Sequence, residues 1–252
     1  NNYICHLLVM QRELMQELGF RSSVDGAQDH DIILRAVDRM MGEDRHAARK
    51  GRLPVAHIPK VLYHWRCYEG STSENPESKR YAYEAGKRAV EDFLKAREYQ
   101  ADVVHTCHLG FFRVNYQPDL LSNRPDVAVV GGKLIDRHNR VVGGIYNENR
   151  EPLYLGLHKE YSGYMHRASC QQEAYAVDVR CMICSGEAQT VWEELTGLPY
   201  AVQPHTGYFL YQDVLKKDAD YEELSFRFCE ELRRRGKRIV WDPEMVQRVD
   251  GR

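Results

Sequence analysis

Residues 25–35 read DGAQDHDIILR, and residues 57–72 read HIPKVLYHWRCYEGST. The apolar residues of the first stretch recur at helical spacing and predict a helix over residues 28–41, with acidic side chains in its first turn. The second stretch predicts a strand-like segment over residues 53–63, which Pro59 confines to a sheet edge or a bend. An acidic helix start combined with a strand that ends in His, Trp and Arg suits the transfer of a group from a phosphate.

The rest of the chain alternates between strand-like apolar runs and segments with helical periodicity. Apolar runs predict buried strands, and amphipathic runs that end near a glycine predict helices. The predicted strands are residues 3–9, 111–116, 127–134, 141–146, 175–184 and 238–241, and the predicted helices are residues 12–18, 81–97, 191–195 and 221–235. The strands on either side of the polar turn near residue 138 are expected to form a hairpin. This alternation predicts the α/β class, with a mixed sheet flanked by helices.

Composition narrows the classes of protein that fit. The chain has 252 residues and a formal net charge of −2, which disfavours a nucleic-acid-binding surface. No apolar run approaches the roughly 18 residues of a membrane span. Seven cysteines without regular spacing favour reduced thiols in a cytoplasmic protein. No signal peptide is visible and the chain does not begin with Met, so we expect a fragment of a longer protein.

The segments QDHDIILR at 28–35, HIPKVLYHWR at 57–66 and GST at 70–72 resemble family-two glycosyltransferases of the GT-A fold. The resemblance is to the bacterial type that builds polysaccharides and often carries two transferase domains in tandem. It implies a GT-A-like sheet that is incomplete in this chain, since the family's nucleotide-binding half with its Asp-x-Asp metal motif is not found here.

The resemblance also implies a domain organisation and a reaction. Residues 1–100 would be the C-terminal half of one transferase domain with its trailing helix, residues 101–110 a linker, and residues 111–252 a second, partial domain. The activity would be that of a hexosyltransferase. It would move a sugar from a nucleotide-sugar donor to a polysaccharide or lipid-linked acceptor, with inversion, at the cytoplasmic face of the membrane.

The same resemblance implies roles for individual residues. Asp29 matches the family's general base, and the positive end of a helix dipole stabilises a carboxylate there. His64, Trp65, Arg66 and Ser71 match the region that closes over the donor diphosphate. His64 is in addition a candidate ligand for the Mg²⁺ or Mn²⁺ that the family uses.

A second candidate site lies at the start of the helix predicted from residue 221. It consists of the acidic residues Asp220, Glu222 and Glu223. An ungapped count from Arg227 places Tyr221 where the resemblance expects the base, and Asp220 lies one residue away.

Each assignment has a simpler alternative. Asp29 could merely cap its helix, His64 could pack in an aromatic cluster, and Arg35 could pin the helix through an ion pair. The cysteines of the C-x-x-C at residues 181–184 are expected to lie in the core, because zinc would need two further ligands. The whole chain could be a non-catalytic transferase remnant that acts as a binding or assembly module, or a carbohydrate-binding domain.

These interpretations also predict what the protein binds. The expected ligands are a nucleotide-sugar donor and a glycan or lipid-linked acceptor, with no nucleic acid. The basic cluster at residues 233–238 suggests peripheral contact with an anionic membrane surface. An incomplete sheet would expose an edge, which predicts a homodimer.

Overall fold

The computed structural model describes residues 4, 7–43, 55–64, 80–201 and 220–249, with residues 41–43 as helical backbone only. The chain divides into two compact units, Asn1–Pro118 and Asp119–Arg252. The first unit is mainly helical, and the second contains a mixed sheet.

A pair of packed helices lies at the centre of the first unit's apolar packing. The elements of this unit are α1 (Arg12–Leu18), a 3₁₀ turn (Ser22–Val24), α2 (Gln28–Glu43), α3 (Arg80–Ala96), β1 (Ala101–His105) and β2 (Phe112–Tyr116). Apolar residues at helical spacing on α2 face their counterparts on α3. The buried residues of these elements include Val24, Ile32, Ile33, Ala36, Ala85, Ala89, Val90 and Leu94. The helices predicted over residues 12–18, 28–41 and 81–97 are therefore confirmed.

Residues 101–110, predicted as a linker, instead contain β1. This strand pairs antiparallel with β2, so that Val103 lies opposite Val114. Val103 and Phe112 are buried in the same apolar cluster as Leu94 of α3. The first unit therefore extends to Pro118, because the two strands satisfy each other's backbone groups and pack on the preceding helix.

Two strand predictions in the first unit are wrong wherever the structure describes them. The described positions among residues 3–9 form no strand, and Leu7 and Val9 are 65% and 84% exposed. Residues 55–63 form no strand either, and Val61 is exposed. An apolar run becomes a strand only when a neighbouring strand accepts its backbone hydrogen bonds, and no described strand pairs with either run.

One parallel pair of strands organises the second unit. Its elements are α4 (Leu120–Asn123), β3 (Val127–Ile135), β4 (Val141–Gly143), β5 (Ile145–Tyr146), a 3₁₀ segment (Tyr164–Ser169), β6 (Gln172–Ala174), β7 (Ala176–Val177), β8 (Met182–Cys184), α5 (Gly186–Thr196), α6 (Tyr221–Arg234) and β9 (Arg238–Arg248). β3 pairs parallel with β9 and antiparallel with β4 and β8, and β6 pairs antiparallel with β9. β5 and β7 form a separate two-stranded ladder. The α/β class, the mixed sheet flanked by helices and the β3–β4 hairpin are confirmed.

β3 lies at the centre of this unit, and all nine of its residues are buried. Such complete burial is typical of a strand that is covered on both faces. A Cβ atom at Gly131 would overlap the side chain of Val177, and one at Gly132 would overlap the backbone of Met245. The Gly-Gly pair therefore permits close packing of β3 against its neighbours.

Three other strand predictions in this unit need correction. The run 141–146 divides at Gly144 into β4 and β5, which belong to different ladders. The run 175–184 is not one strand, because a turn interrupts it at Asp178. The carbonyl oxygen of Asp178 accepts from the Cys181 amide at 3.1 Å, and its carboxylate accepts from the Arg180 amide at 3.0 Å. The last strand continues past Pro243 to residue 248, because the β3–β9 ladder shifts register there and a bulge tolerates a residue without an N–H.

Candidate functional sites

Asp29 is the second residue of α2, and its side chain is exposed. The next two side chains, His30 and Asp31, are buried. The amide groups of the first helical turn leave a positive partial charge at this end of the helix, which stabilises a nearby carboxylate. Asp29 thus occupies a position that suits both a general base and a residue that merely caps its helix.

Asp31 is a buried carboxylate that two arginines anchor. Its side chain is buried, and it accepts hydrogen bonds from Arg21 and, at 2.8 Å, from Nε of Arg35. Burial opposes ionisation of Asp31, but the hydrogen bonds and charges of the two arginines outweigh it and lower the pKa of the carboxyl group. Arg35 also donates to the carbonyl oxygens of Leu18 and Gly19 at 2.6 and 2.7 Å. The ion pair expected of Arg35 is confirmed.

The predicted diphosphate site lies mostly outside the described residues. His64 is described and its side chain is exposed, whereas Trp65, Arg66 and Ser71 fall in the part of the chain that is not described. Among the described residues, no group of three or more His, Cys, Asp or Glu side chains is arranged to hold a metal ion, around His64 or elsewhere.

The acidic residues at the start of α6 have structural partners. Asp220 is the N-cap and accepts the Glu223 amide at 3.0 Å. The carboxylate of Glu223 forms an ion pair with Arg150 at 3.0 Å. Glu222 is exposed, and Tyr221 lies under the guanidinium group of another arginine. Two of the three predicted acidic groups are thus engaged in holding the helix and its neighbouring loop.

A buried polar cluster that the sequence did not reveal lies beside the start of α6. The fully buried carboxylate of Asp178 accepts two hydrogen bonds from Arg180, at 2.9 and 2.7 Å, and one from the Tyr146 hydroxyl at 3.1 Å. Arg180 stacks over Tyr221, with its guanidinium carbon 5.0 Å from the ring centre. Burial, and then the charge of Asp178, raise the pKa of Tyr146, so this hydroxyl remains a donor. The only signal in the sequence was an Asp between two valines in an apolar run.

The cysteines of the C-x-x-C are core residues, as predicted. Cys181 and Cys184 are buried, and they belong to different apolar clusters of the second unit. Burial raises the pKa of the Cys181 thiol to about 12, so the thiolate needed for metal binding is disfavoured.

Basic residues 233–238 are paired with acidic side chains. Every Arg and Lys of this cluster lies within ion-pair distance of a carboxylate. The acidic partners are Asp126, Glu173, Glu187, Glu194 and Glu231. Such pairing weakens the attraction of the cluster for an anionic surface. Within the described part of the chain, no helix combines the length and apolarity that crossing a membrane requires.

A surface cavity of about 350 Å³ lies at the C-terminal end of α3. Its polar wall includes Glu91, Lys95, Glu98 and Asp102. None of the predicted site residues lines it, so it does not belong to the arrangement around Asp29.

Comparison with known proteins shows two partial similarities. The chain is 43% identical over 94 residues to the uncharacterized protein y4gI of Sinorhizobium fredii, which covers 37% of this chain and 9% of that protein. It is 27% identical over 130 residues to the O-antigen biosynthesis protein RfbC of Myxococcus xanthus, which covers 51% of this chain and 9% of that protein. The matched regions thus span less than a tenth of each relative. No protein-family model matches the chain, and no solved structure matches it.

Proposed function

We propose that this chain belongs to a glycosyltransferase of polysaccharide biosynthesis and that its first unit carries the general base. The similarity to an O-antigen biosynthesis protein over half of the chain supports polysaccharide biosynthesis. The observation that carries the assignment of the base is the exposed carboxylate of Asp29 at the start of α2, two residues before an anchored carboxylate. The resemblance to family-two glycosyltransferases points to the same residue.

In the proposed reaction Asp29 removes the proton from an acceptor hydroxyl group. The hydroxyl oxygen attacks the anomeric carbon of the donor sugar while the bond from that carbon to the diphosphate oxygen breaks. The nucleoside diphosphate leaves with the electron pair, and the anomeric configuration inverts. An exposed carboxylate can reach an acceptor that approaches from solvent, and such a base contributes roughly 10²–10⁴ to the rate.

The leaving diphosphate needs positive charge. In this proposal His64, Trp65, Arg66 and Ser71 hold it, with Arg66 pairing with phosphate oxygens in a forked geometry. A Mg²⁺ or Mn²⁺ ion, when bound, would neutralise further charge on the diphosphate. The described residues do not form a metal site, so ligands from outside them would be required.

For the second unit the structure favours a different role, that of a non-catalytic binding or assembly module. Asp220 caps α6 and Glu223 is paired with Arg150. Tyr221, at the position where the resemblance expects a base, lies beneath the guanidinium group of Arg180. A carboxylate that already satisfies a helix end or a cation is a poor proton acceptor for a substrate.

The test is substitution of Asp29 by Asn in the full-length protein. Transfer from UDP-, GDP-, dTDP- and CMP-sugars to the membrane-extracted acceptor should fall by about 10²-fold or more, because the amide cannot accept the proton. The matched control is Asp220→Asn, which changes the same residue type at the start of α6 and should leave transfer within about twofold.

Two results would contradict this assignment of roles. If Asp29→Asn transfers sugar at the wild-type rate, Asp29 is not the base. If Asp220→Asn abolishes transfer in a protein that melts normally, the second unit is catalytic.

A further inference from the structure

A single buried carboxylate ties together four segments around the start of α2. Asp31 accepts from Arg21, which precedes the 3₁₀ turn, and from Arg35, one turn further along α2. Arg21 also pairs with Asp92 of α3 at 2.8 Å. Arg35 reaches back to the two carbonyl groups at the end of α1. We call Arg21, Asp31 and Arg35 the arginine clamp.

The arginine clamp encloses the loop that leads into Asp29. Arg35 fixes the beginning of that loop through the carbonyl groups of Leu18 and Gly19. Arg21, directly before the 3₁₀ turn of this loop, bonds to Asp31 on one side and to α3 on the other. A buried carboxylate with charged donors has few alternative arrangements, since breaking any bond leaves a buried charge without its partner. The backbone that presents Asp29 is therefore held from both sides.

The start of α6 provides an internal comparison. Counting back from Arg227, Glu223 corresponds to Asp31 and Tyr221 to Asp29. Glu223 pairs with Arg150 rather than with Arg227, and Arg227 forms no ion pair within the described residues. The helix that lacks the candidate base thus also lacks the clamp.

We infer that Asp31 is a positioning residue, whose role is to hold the Asp29 carboxylate in the orientation that removes the acceptor proton. This inference rests on the proposed function of Asp29. It adds that the clamp arginines act on the protein itself and not on the donor diphosphate, because their donors are used by Asp31, Asp92 and the end of α1. A displacement of about 1 Å at a reacting group can reduce a rate by about 10²-fold.

The first measurement compares Asp31→Asn with Leu94→Ala in the full-length protein. Leu94 is a buried residue of the same unit and belongs to an apolar cluster with Val90 and Val103, so its truncation destabilises the unit without removing a clamp group. Both variants are assayed well below their melting temperatures, with rates expressed per folded molecule. Asp31→Asn should lower kcat by about 10²-fold with KM for the donor within about twofold, and Leu94→Ala should keep the wild-type kcat. Equal losses in both variants, or a wild-type kcat in Asp31→Asn, would overturn the inference.

A second measurement does not depend on activity. Hydrogen exchange of the amides in residues 19–30 should be at least about tenfold faster in Asp31→Asn than in wild type, while exchange in the β3–β9 pair is unchanged. Unchanged exchange in residues 19–30 would overturn the inference that the arginine clamp holds this backbone, even if no transfer can be assayed.

The Asp29→Asn variant separates the two proposals. If it keeps wild-type activity, the proposed base is wrong. If it is inactive while Asp31→Asn is fully active, only the positioning role fails.

Discussion

His30 should make the stability of the first unit depend on pH. Its side chain is 6% exposed, its Nε2 atom is buried without a hydrogen-bond partner among the described residues, and its ring stacks on Phe112. Burial lowers the pKa of His30 from 6.5 to about 4. Since the folded pKa lies below the unfolded one, the unfolded chain binds more protons between these values. The stabilisation is complete above pH 6.5 and is lost as the pH falls towards 4.

The magnitude follows from the two pKa values. The full shift corresponds to about 3 kcal/mol between the limits of high and low pH. At pH 5 the unfolded imidazole is almost fully protonated and the folded one is mostly neutral, so about 2 kcal/mol should be lost relative to pH 8. Asp31 does not contribute in this range. Its pKa is lowered from 3.8, and the stability that it provides is lost only as the pH falls through that lower value.

The assay is hydrogen exchange of the α2 and α3 amides in the intact chain at pH 5 and pH 8, corrected for the intrinsic exchange rates. The free energy of opening should fall by about 2 kcal/mol in wild type between these pH values. In His30→Leu this loss should nearly vanish, because leucine does not titrate. His138→Leu changes an exposed histidine of the second unit and should keep the wild-type dependence. If His30→Leu also keeps it, the buried imidazole is not its cause.

Two further predictions concern packing and polar burial in the second unit. Gly131→Ala should destabilise the protein by about 1–3 kcal/mol, because the new methyl group overlaps Val177. The control is Gly186→Ala, where nothing lies within 4 Å and the substitution should be neutral or slightly stabilising. Equal urea midpoints for the two variants would contradict this account. Tyr146→Phe should lower the free energy of unfolding by about 1–3 kcal/mol, because the buried carboxylate of Asp178 loses a hydrogen-bond donor. An unchanged urea midpoint would show that this hydrogen bond adds no net stability.

The comparison of α2 with β9 shows which features a local pattern can predict. Ile32, Ile33 and Ala36 recur every three or four residues, so their shared face identified α2 without knowledge of its partner. Pro243 carried an equally local signal, yet β9 continues past it. The outcome there depended on a register shift against β3, a strand more than 100 residues earlier in the chain. Pairing with the distant strand β3 therefore outweighed the local tendency of Pro243 to end a strand.

The same division holds for the candidate sites. The sequence placed Asp29 at the start of a helix and Asp220 beside another, since both positions follow from the helical pattern. It did not predict that Asp31 is buried while Asp29, two residues earlier in the same helical turn, is exposed.

The sequence by itself determined the helices, the α/β class, the β3–β4 hairpin and the acidic start of α2, because each depends on residues close together in the chain. Only the tertiary structure decided the pairing of Asp31 with Arg21, the pairing of Glu223 with Arg150, and the burial of Asp178 against Tyr146. The physical reason is that the state and role of a carboxylate depend on which donors and charges folding brings within hydrogen-bonding distance. The deciding donors lie ten or more residues away along the chain, unlike Arg35, whose ion pair with Asp31 one helical turn earlier is expected from the sequence.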